Sequence, residues 1–534
     1  MPDHRSLRAK SRPRVWCVAT VAAGAILSSE STSPARAAST FTVPMPRVTL
    51  VPNTATSHPW LYYKATQRPL ELDARGYVEE EFLAIGTGNV YDWPADPAAN
   101  LVVKYRDAPY ATRILLRRPA DLSRFSGTLI VEVMNPARGF DMAIMHGFLS
   151  DSLMEHGDAW AGISAPGVLE SLKRFDAPRY STLTFDNPAP RDAVCAGPGG
   201  GRGGRGGAAG TTGPAAPARN PVEPGLRLDA FAQIGRWLRG GPGHPLGASV
   251  RNVFLVGHTG GDVATFVSSV GREARLENGK PVYDGYLAHS GSTAGALMNC
   301  GTPLPRGDVR AIPGRAGSPV VIIKTQSDLP YASRPDSDDP SDVFRIYDIP
   351  ASAHADKWLF RYLPSVAEQR KAIDINTRSP VTDEWPFDTT CDIPDLRMSP
   401  FPQGYMVYGA LANLERFARE GRPLPKSARV ETETVNGQLR LKMDQYGNAI
   451  GGVRSPWVDV PTGTYHAELT GENPTCAEMV HHDTWAWWRI AEMYGTFEAY
   501  AAKVNASVDN MLANRWITEA GARHIREEVL KPAK

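Results

Sequence analysis

Residues 257–261 read Gly-His-Thr-Gly-Gly, a hydroxyl flanked by glycines, directly after the apolar run VRNVFLV (250–256) and before DVATFVSSV (262–270). Strand, sharp turn and helix in that order make a nucleophile elbow, which lifts a side-chain oxygen above a sheet and aims the next backbone N–H at a developing oxyanion. The usual pattern is G-x-S-x-G; here Thr259 stands where serine would. A glycine-flanked threonine alone fits an ordinary turn equally well. Nucleophilic chemistry also needs an acid and a histidine, following in that order at the ends of later strands. Asp328 closes SPVVIIKTQSD (318–328), and His354 lies in ASAHAD (351–356) just after FRIYDIP (344–350). In these places Asp328 orients the imidazole, while His354 takes the hydroxyl proton and returns it to the leaving group. The N–H of Gly260 is one expected oxyanion donor. The second comes from the loop MNPARGF (134–140), from Ala137 or Arg138, because Pro136 has no N–H.

These residues need a parallel sheet beneath them, and the alternation of segments predicts one. GTLIVEVMN (127–135) and AWAGISA (159–165) read as buried strands around a helix at 141–156. A helix over 226–240 precedes the elbow, and the strands ending at Asp328 and before His354 follow it. Upstream, residues 45 to about 120 carry short alternating runs broken by turn residues, which predicts antiparallel strands. Downstream, helices are expected at 405–420, 477–494, 497–513 and 517–530. Residues 196–219 are rich in glycine, alanine and proline and read as a flexible insertion.

Composition excludes some partners. The chain has 58 Lys+Arg against 57 Asp+Glu over 534 residues, a net charge of +1 that gives no general attraction to nucleic acid or to acidic membrane. Residues 1–15 are basic and WCVATVAAGAIL (16–27) is apolar but too short to span a bilayer; Ala35-Arg36-Ala37 then supplies a cleavage pattern. A signal peptide over 1–37 is expected, and with it an exported protein, in the periplasm or secreted, with no stable membrane insertion after cleavage. Removing the segment takes away six basic and two acidic residues and brings the charge to about −3. Cys195, Cys300, Cys391 and Cys476 remain, and in an oxidising compartment they form disulfides in any of three connectivities. With neither a metal-ligand spacing nor a dinucleotide fingerprint, no metal and no cofactor are expected. Asp262 suits a helix start. His481 and His482, being neighbours, point apart and read as surface or packing residues, and Trp485, Trp487 and Trp488 read as core.

Several long segments carry a resemblance. GYVEEEFLAIGTGNVYDW (76–93), YATRILLRRPADLSRFSGTLIVEVMN (110–135), FRIYDIPASAHAD (344–356) and DQYGNAIGGVRSPWVDVPTGTY (444–465) are similar to the bacterial and fungal "α/β hydrolase domain" proteins, a group of serine-esterase-like enzymes. The resemblance implies an α/β-hydrolase fold: a mostly parallel central sheet flanked by helices over 127–356, an N-terminal antiparallel β extension over 38–126 and a mostly helical C-terminal part over 357–534. It also implies hydrolysis of a small-molecule carboxylic ester through a Thr259-His354-Asp328 triad. Relatives usually carry Ser-Gln-Ser in the elbow and Glu-x-Asp at the end of the acid strand, where this chain has Thr259-Gly260-Gly261 and Gln326-Ser327-Asp328. Threonine in the elbow leaves a second expectation: a catalytically silent relative that binds a small apolar ligand.

Overall fold

The computed structural model describes residues 40–97, 99–190, 221–259, 261–290, 298–301, 304–305, 308–329, 334–385, 391, 398–466 and 476–531. The segment read as a signal peptide, the Gly-rich stretch 196–219, Cys195 and Gly260 lie outside them.

Ten strands build the main sheet: β1 (Arg47–Val51), β2 (Tyr77–Asp92), β3 (Val102–Pro119), β4 (Thr128–Val133), β5 (Ala159–Ile163), β6 (Thr184–Phe185), β7 (Asn252–His258), β8 (Gly285–His289), β9 (Val320–Thr325) and β10 (Phe344–Ile349). Their order is β10-β9-β8-β7-β4-β5-β3-β2-β1, with β6 paired to β3. Strands β4, β5, β7, β8, β9 and β10 are parallel to their neighbours among themselves, whereas β1, β2 and β3 are antiparallel, as the alternating runs at 45–120 predict.

The parallel strands are buried throughout and mostly apolar because both faces are covered, with a few buried charged residues such as Glu132, Lys324 and Arg345 among them. Ile130, Phe254, Val256, Val321, Ile323 and Tyr347 enter one buried cluster, with Met145 and Leu149 of α1 (Ile144–His156) and Val407 and Leu411 of α4 (Gly404–Glu420). Their sequence neighbours Leu129, Val131, Val253, Leu255, Ile322 and Ile346 enter the other, with Phe231 and Trp237 of α2 (Leu226–Leu238) and Phe266 of α3 (Gly261–Ser268). The two-residue period of a strand thus sorts one run of apolar residues onto two helical layers.

The chain runs β4 to β5 towards one edge and β7 through β10 towards the other. The crevice where the directions part, between the carboxyl ends of β4 and β7, is where ligands bind in open α/β sheets. Gly257, next to the last residue of β7, lets α3 come close: a Cβ there would lie 2.9 Å from Val263 Cγ2.

In the C-terminal part, α4, α6 (Phe497–Ala513) and α7 (Glu519–Val529) match their expected positions. The helix expected over 477–494 does not form as one piece. Cys476–Glu478 is a single 3-10 turn, His481–Thr484 is a strand paired antiparallel with Gly463–His466, and α5 (Trp487–Tyr494) is the α-helical remainder. His, Asp and Thr are poor helix formers, and the hairpin supplies cross-strand partners: Tyr465 stacks on His482 with centroids 4.3 Å apart, and Asp483 bonds both His466 and His481. Trp487 and Trp488 are exposed rather than core, while Trp485 is buried. Cys391 and Cys476 form a disulfide, which rules out the connectivities pairing either with Cys195 or Cys300. Cys300 is disulfide-bonded as well, to a partner outside the described residues. Among the described residues no helix is long and apolar enough to cross a membrane.

Candidate active site

Thr259 follows β7 directly and has φ 60°, the left-handed conformation an elbow requires. For a β-branched residue that conformation costs on the order of 1–3 kcal/mol and persists only where the surroundings impose it. The residue is exposed. Its hydroxyl donates to the His258 carbonyl at 2.6 Å and accepts from Asn135 Nδ2 at 3.4 Å.

Asp328 ends the short turn after β9, and His354 lies five residues past β10. His354 Nδ1–H donates to Asp328 Oδ1 at 3.0 Å. The other carboxylate oxygen accepts from the Thr325 hydroxyl at 2.6 Å, from the Thr325 N–H at 3.1 Å and from the Ser290 hydroxyl. Burial alone would raise the Asp328 pKa, but the His354 charge and these donors hold it well below the usual carboxylate range. Burial alone would lower the His354 pKa; the Asp328 charge and hydrogen bond outweigh it and push it up to about 9. Among the described residues no hydrogen bond joins Thr259 to His354, a separation common in unliganded catalytic sites.

The backbone of the histidine loop is fixed from two sides. Ser327 Oγ accepts from the His354 N–H at 2.8 Å and donates to the Glu478 carbonyl at 3.1 Å, which also accepts from the Ala355 N–H at 3.2 Å. Glu478 thus stands at the rim of the site, its pKa raised by burial.

Behind Thr259 runs a buried polar chain. Gln403 donates both amide hydrogens, to Ala353 O at 2.8 Å and to Asp356 Oδ2 at 2.7 Å, so its oxygen must accept from His289 Nε2–H at 3.0 Å. Burial lowers His289 to about 4, so it is neutral and its Nδ1 accepts from His258 Nδ1–H, also at 3.0 Å. Burial holds His258 well below its ordinary value too, and its ring meets His354 edge to face at 4.6 Å.

The sequence-derived residues Thr259, Asp328 and His354 therefore stand past the carboxyl ends of β7, β9 and β10 on one half of the parallel sheet, with β8 between the first two. Gly260 lies outside the described residues. Ala137 is on the expected loop, but its N–H donates to Asn135 Oδ1 at 2.8 Å, and that contact turns Asn135 Nδ2 towards Thr259. Asp262 accepts from Arg227 at 2.8 Å at the start of α3. Asn135 and Ser290 were not singled out from the sequence. Each is the first polar residue past a buried strand, in VEVMN and YLAHS, and that position was the available signal. Among the described residues no group of His, Cys, Asp or Glu is arranged to hold a metal ion.

No curated protein matches the sequence significantly. Solved structures to which the chain is similar include an alpha-beta serine hydrolase homologue from Coxiella burnetii (13% identity, 45% of this chain and 82% of that one, TM-score 0.23). A siderophore hydrolase, EstA, from Aspergillus nidulans is similar at 15% identity, over 51% of this chain and 76% of that one, with TM-score 0.24. A glucuronoyl esterase from Solibacter usitatus is similar at 8% identity, over 62% and 87%, with TM-score 0.27. At such scores these likenesses carry no argument. The family model for the alpha/beta hydrolase domain, in contrast, matches residues 42–527, nearly the whole described chain. With the sheet order and the three strand-end residues above, this match establishes that the chain belongs to the alpha/beta hydrolase domain family.

Proposed function

We propose that the protein is an exported hydrolase of carboxylic esters working through an acyl-enzyme. The observation that carries this is the Asp328–His354 pair, 3.0 Å apart, whose imidazole meets the ring of His258 at 4.6 Å, one residue before the exposed Thr259 at φ 60°. Thr259 Oγ1 attacks the ester carbonyl while His354 Nε2 takes its proton. The tetrahedral oxyanion is held by the Gly260 N–H and by Asn135 Nδ2, rather than by the Ala137 N–H, which is engaged by Asn135 Oδ1. Collapse breaks the bond to the alkoxide, which leaves with the proton from His354, and water, activated by the same histidine, hydrolyses the acyl-threonine. Export is supported by the basic-apolar start of the chain and by the Cys391–Cys476 disulfide, a bond rare in the cytosol.

Intact mass after treatment with a fluorophosphonate tests this without a known substrate. A single adduct on the native protein, absent from Thr259→Ala, is the expected result; an adduct that persists in Thr259→Ala refutes the assignment. The second reading, a silent relative that binds a small apolar ligand, is favoured by the Thr259 hydroxyl donating to the His258 carbonyl rather than to His354. An adduct on Thr259→Ser alone selects it.

A further inference from the structure

Ser290 follows β8 directly, as Thr259 follows β7, and it is 4% exposed. Its φ of 54° is strained for any residue but glycine, and such strain is kept where the side chain has a task. Asp328 is ionised and only accepts, so the Ser290 hydroxyl hydrogen points to Asp328 Oδ2. The Ser290 oxygen must then accept the hydrogen on His354 Nδ1, 2.6 Å away, a hydrogen shared with Asp328 Oδ1 at 3.0 Å. The hydroxyl closes a ring of hydrogen bonds through acid, serine and imidazole. We propose that Ser290 is a positioning residue for the histidine–acid pair: it holds the imidazole plane against Asp328 so that Nε2 faces the elbow hydroxyl. This deepens the assignment of Thr259, His354 and Asp328 as the reacting set and rests on it.

Burial excludes Ser290 as a nucleophile, and its place on the Nδ1 side puts it away from the atom that moves the proton. Its dipole has a defined sense, with the oxygen end against the imidazole and the hydrogen end against the carboxylate, so it favours the imidazolium. The other titratable groups facing His354 are Asp328 after β9, Glu478 before the 481–484 strand, His258 on β7 and His289 on β8. Ser290→Ala leaves all four in place.

The test uses the full chain with 15N-labelled histidine, comparing the native protein, Ser290→Ala and Ser290→Thr, with His354→Ala to assign the His354 Nδ1–H signal. In Ser290→Ala the signal is expected to broaden and His354 to titrate about half a pH unit lower, because the oxygen that favoured its charged form is gone. Fluorophosphonate labelling should slow roughly 10–100-fold through misorientation, with little change in reagent affinity. Ser290→Thr keeps the hydroxyl and should restore the titration and most of the rate. Native titration and native labelling in Ser290→Ala would overturn the proposal, as would a Thr variant indistinguishable from Ala in both. If the native protein does not label at all, the hydrolase assignment fails, and the titration still decides whether Ser290 grips the imidazole.

Discussion

Thr259 and Ser290 each stand one residue past a paired position, His258 opposite His289, on adjacent parallel strands, at φ 60° and 54°. Both carry a hydroxyl and both pay the same kind of backbone strain. Thr259 is exposed, and among the described residues its oxygen meets a backbone carbonyl and one amide side chain; the Ser290 oxygen is buried between a carboxylate and an imidazole. Backbone geometry therefore does not distinguish the two hydroxyls; exposure and hydrogen-bond partners do, and the proposed mechanism gives the reacting role to the exposed one.

The comparison breaks most sharply at the histidine. His354→Ala should lower labelling of Thr259 and any ester turnover by roughly 10³–10⁴-fold, measured as rate constants against intact mass; a loss under tenfold would mean that Thr259 reacts without this base. The next effect is pH. His354 must be neutral to take the proton, and Asp328 pushes it up to about 9 against the pull of burial. Labelling should climb about tenfold per unit from neutral pH until about pH 9 and then level off, and a flat profile between pH 6 and 10 would contradict it. For stability the sign is opposite. The raised His354 contributes fully below its unfolded pKa of about 6.5 and loses its contribution as pH rises through about 9, while the lowered Asp328 contributes above about pH 4 and loses its share in acid.

Removing the methyl in Thr259→Ser should speed labelling about tenfold, since the β-branch crowds the approach to the carbonyl. Equal rates for the two residues would remove crowding as the cost of threonine. The smallest effect separates the two turns by sign. Thr259→Gly should stabilise the fold by roughly 0.5–1 kcal/mol, because strain is relieved and little bonding is lost. Ser290→Gly should destabilise it by about 1–2 kcal/mol, because Asp328 and His354 each lose a partner. Denaturant titration of both variants reads this directly, and shifts of the same sign would erase the distinction.

Much of this site was legible in the sequence because chain order and strand ends carry it: Thr259, Asp328 and His354 each close or follow an apolar run, and a parallel sheet delivers such ends to one crevice. Ser290 also ends an apolar run, YLAHS, yet nothing in one dimension tells that its hydroxyl meets residues 38 and 64 positions later. Ala137 sat on the expected loop, but whether its N–H is open depends on the Asn135 rotamer, which spacing does not encode. The helix expected at 477–494 failed over 481–484 because His, Asp and Thr favour a helix only weakly and the 463–466 strand offers partners that the local spacing does not reveal.

The Cys391–Cys476 bond ends two residues before Glu478, whose carbonyl ties down both Ser327 and Ala355. It closes a separation of 85 residues, a crosslink worth about 4–5 kcal/mol in the chain-entropy model. A reducing agent in the purification buffer is therefore an experimental variable at the histidine loop itself: oxidised and reduced preparations are two different samples, and rate constants from one do not transfer to the other.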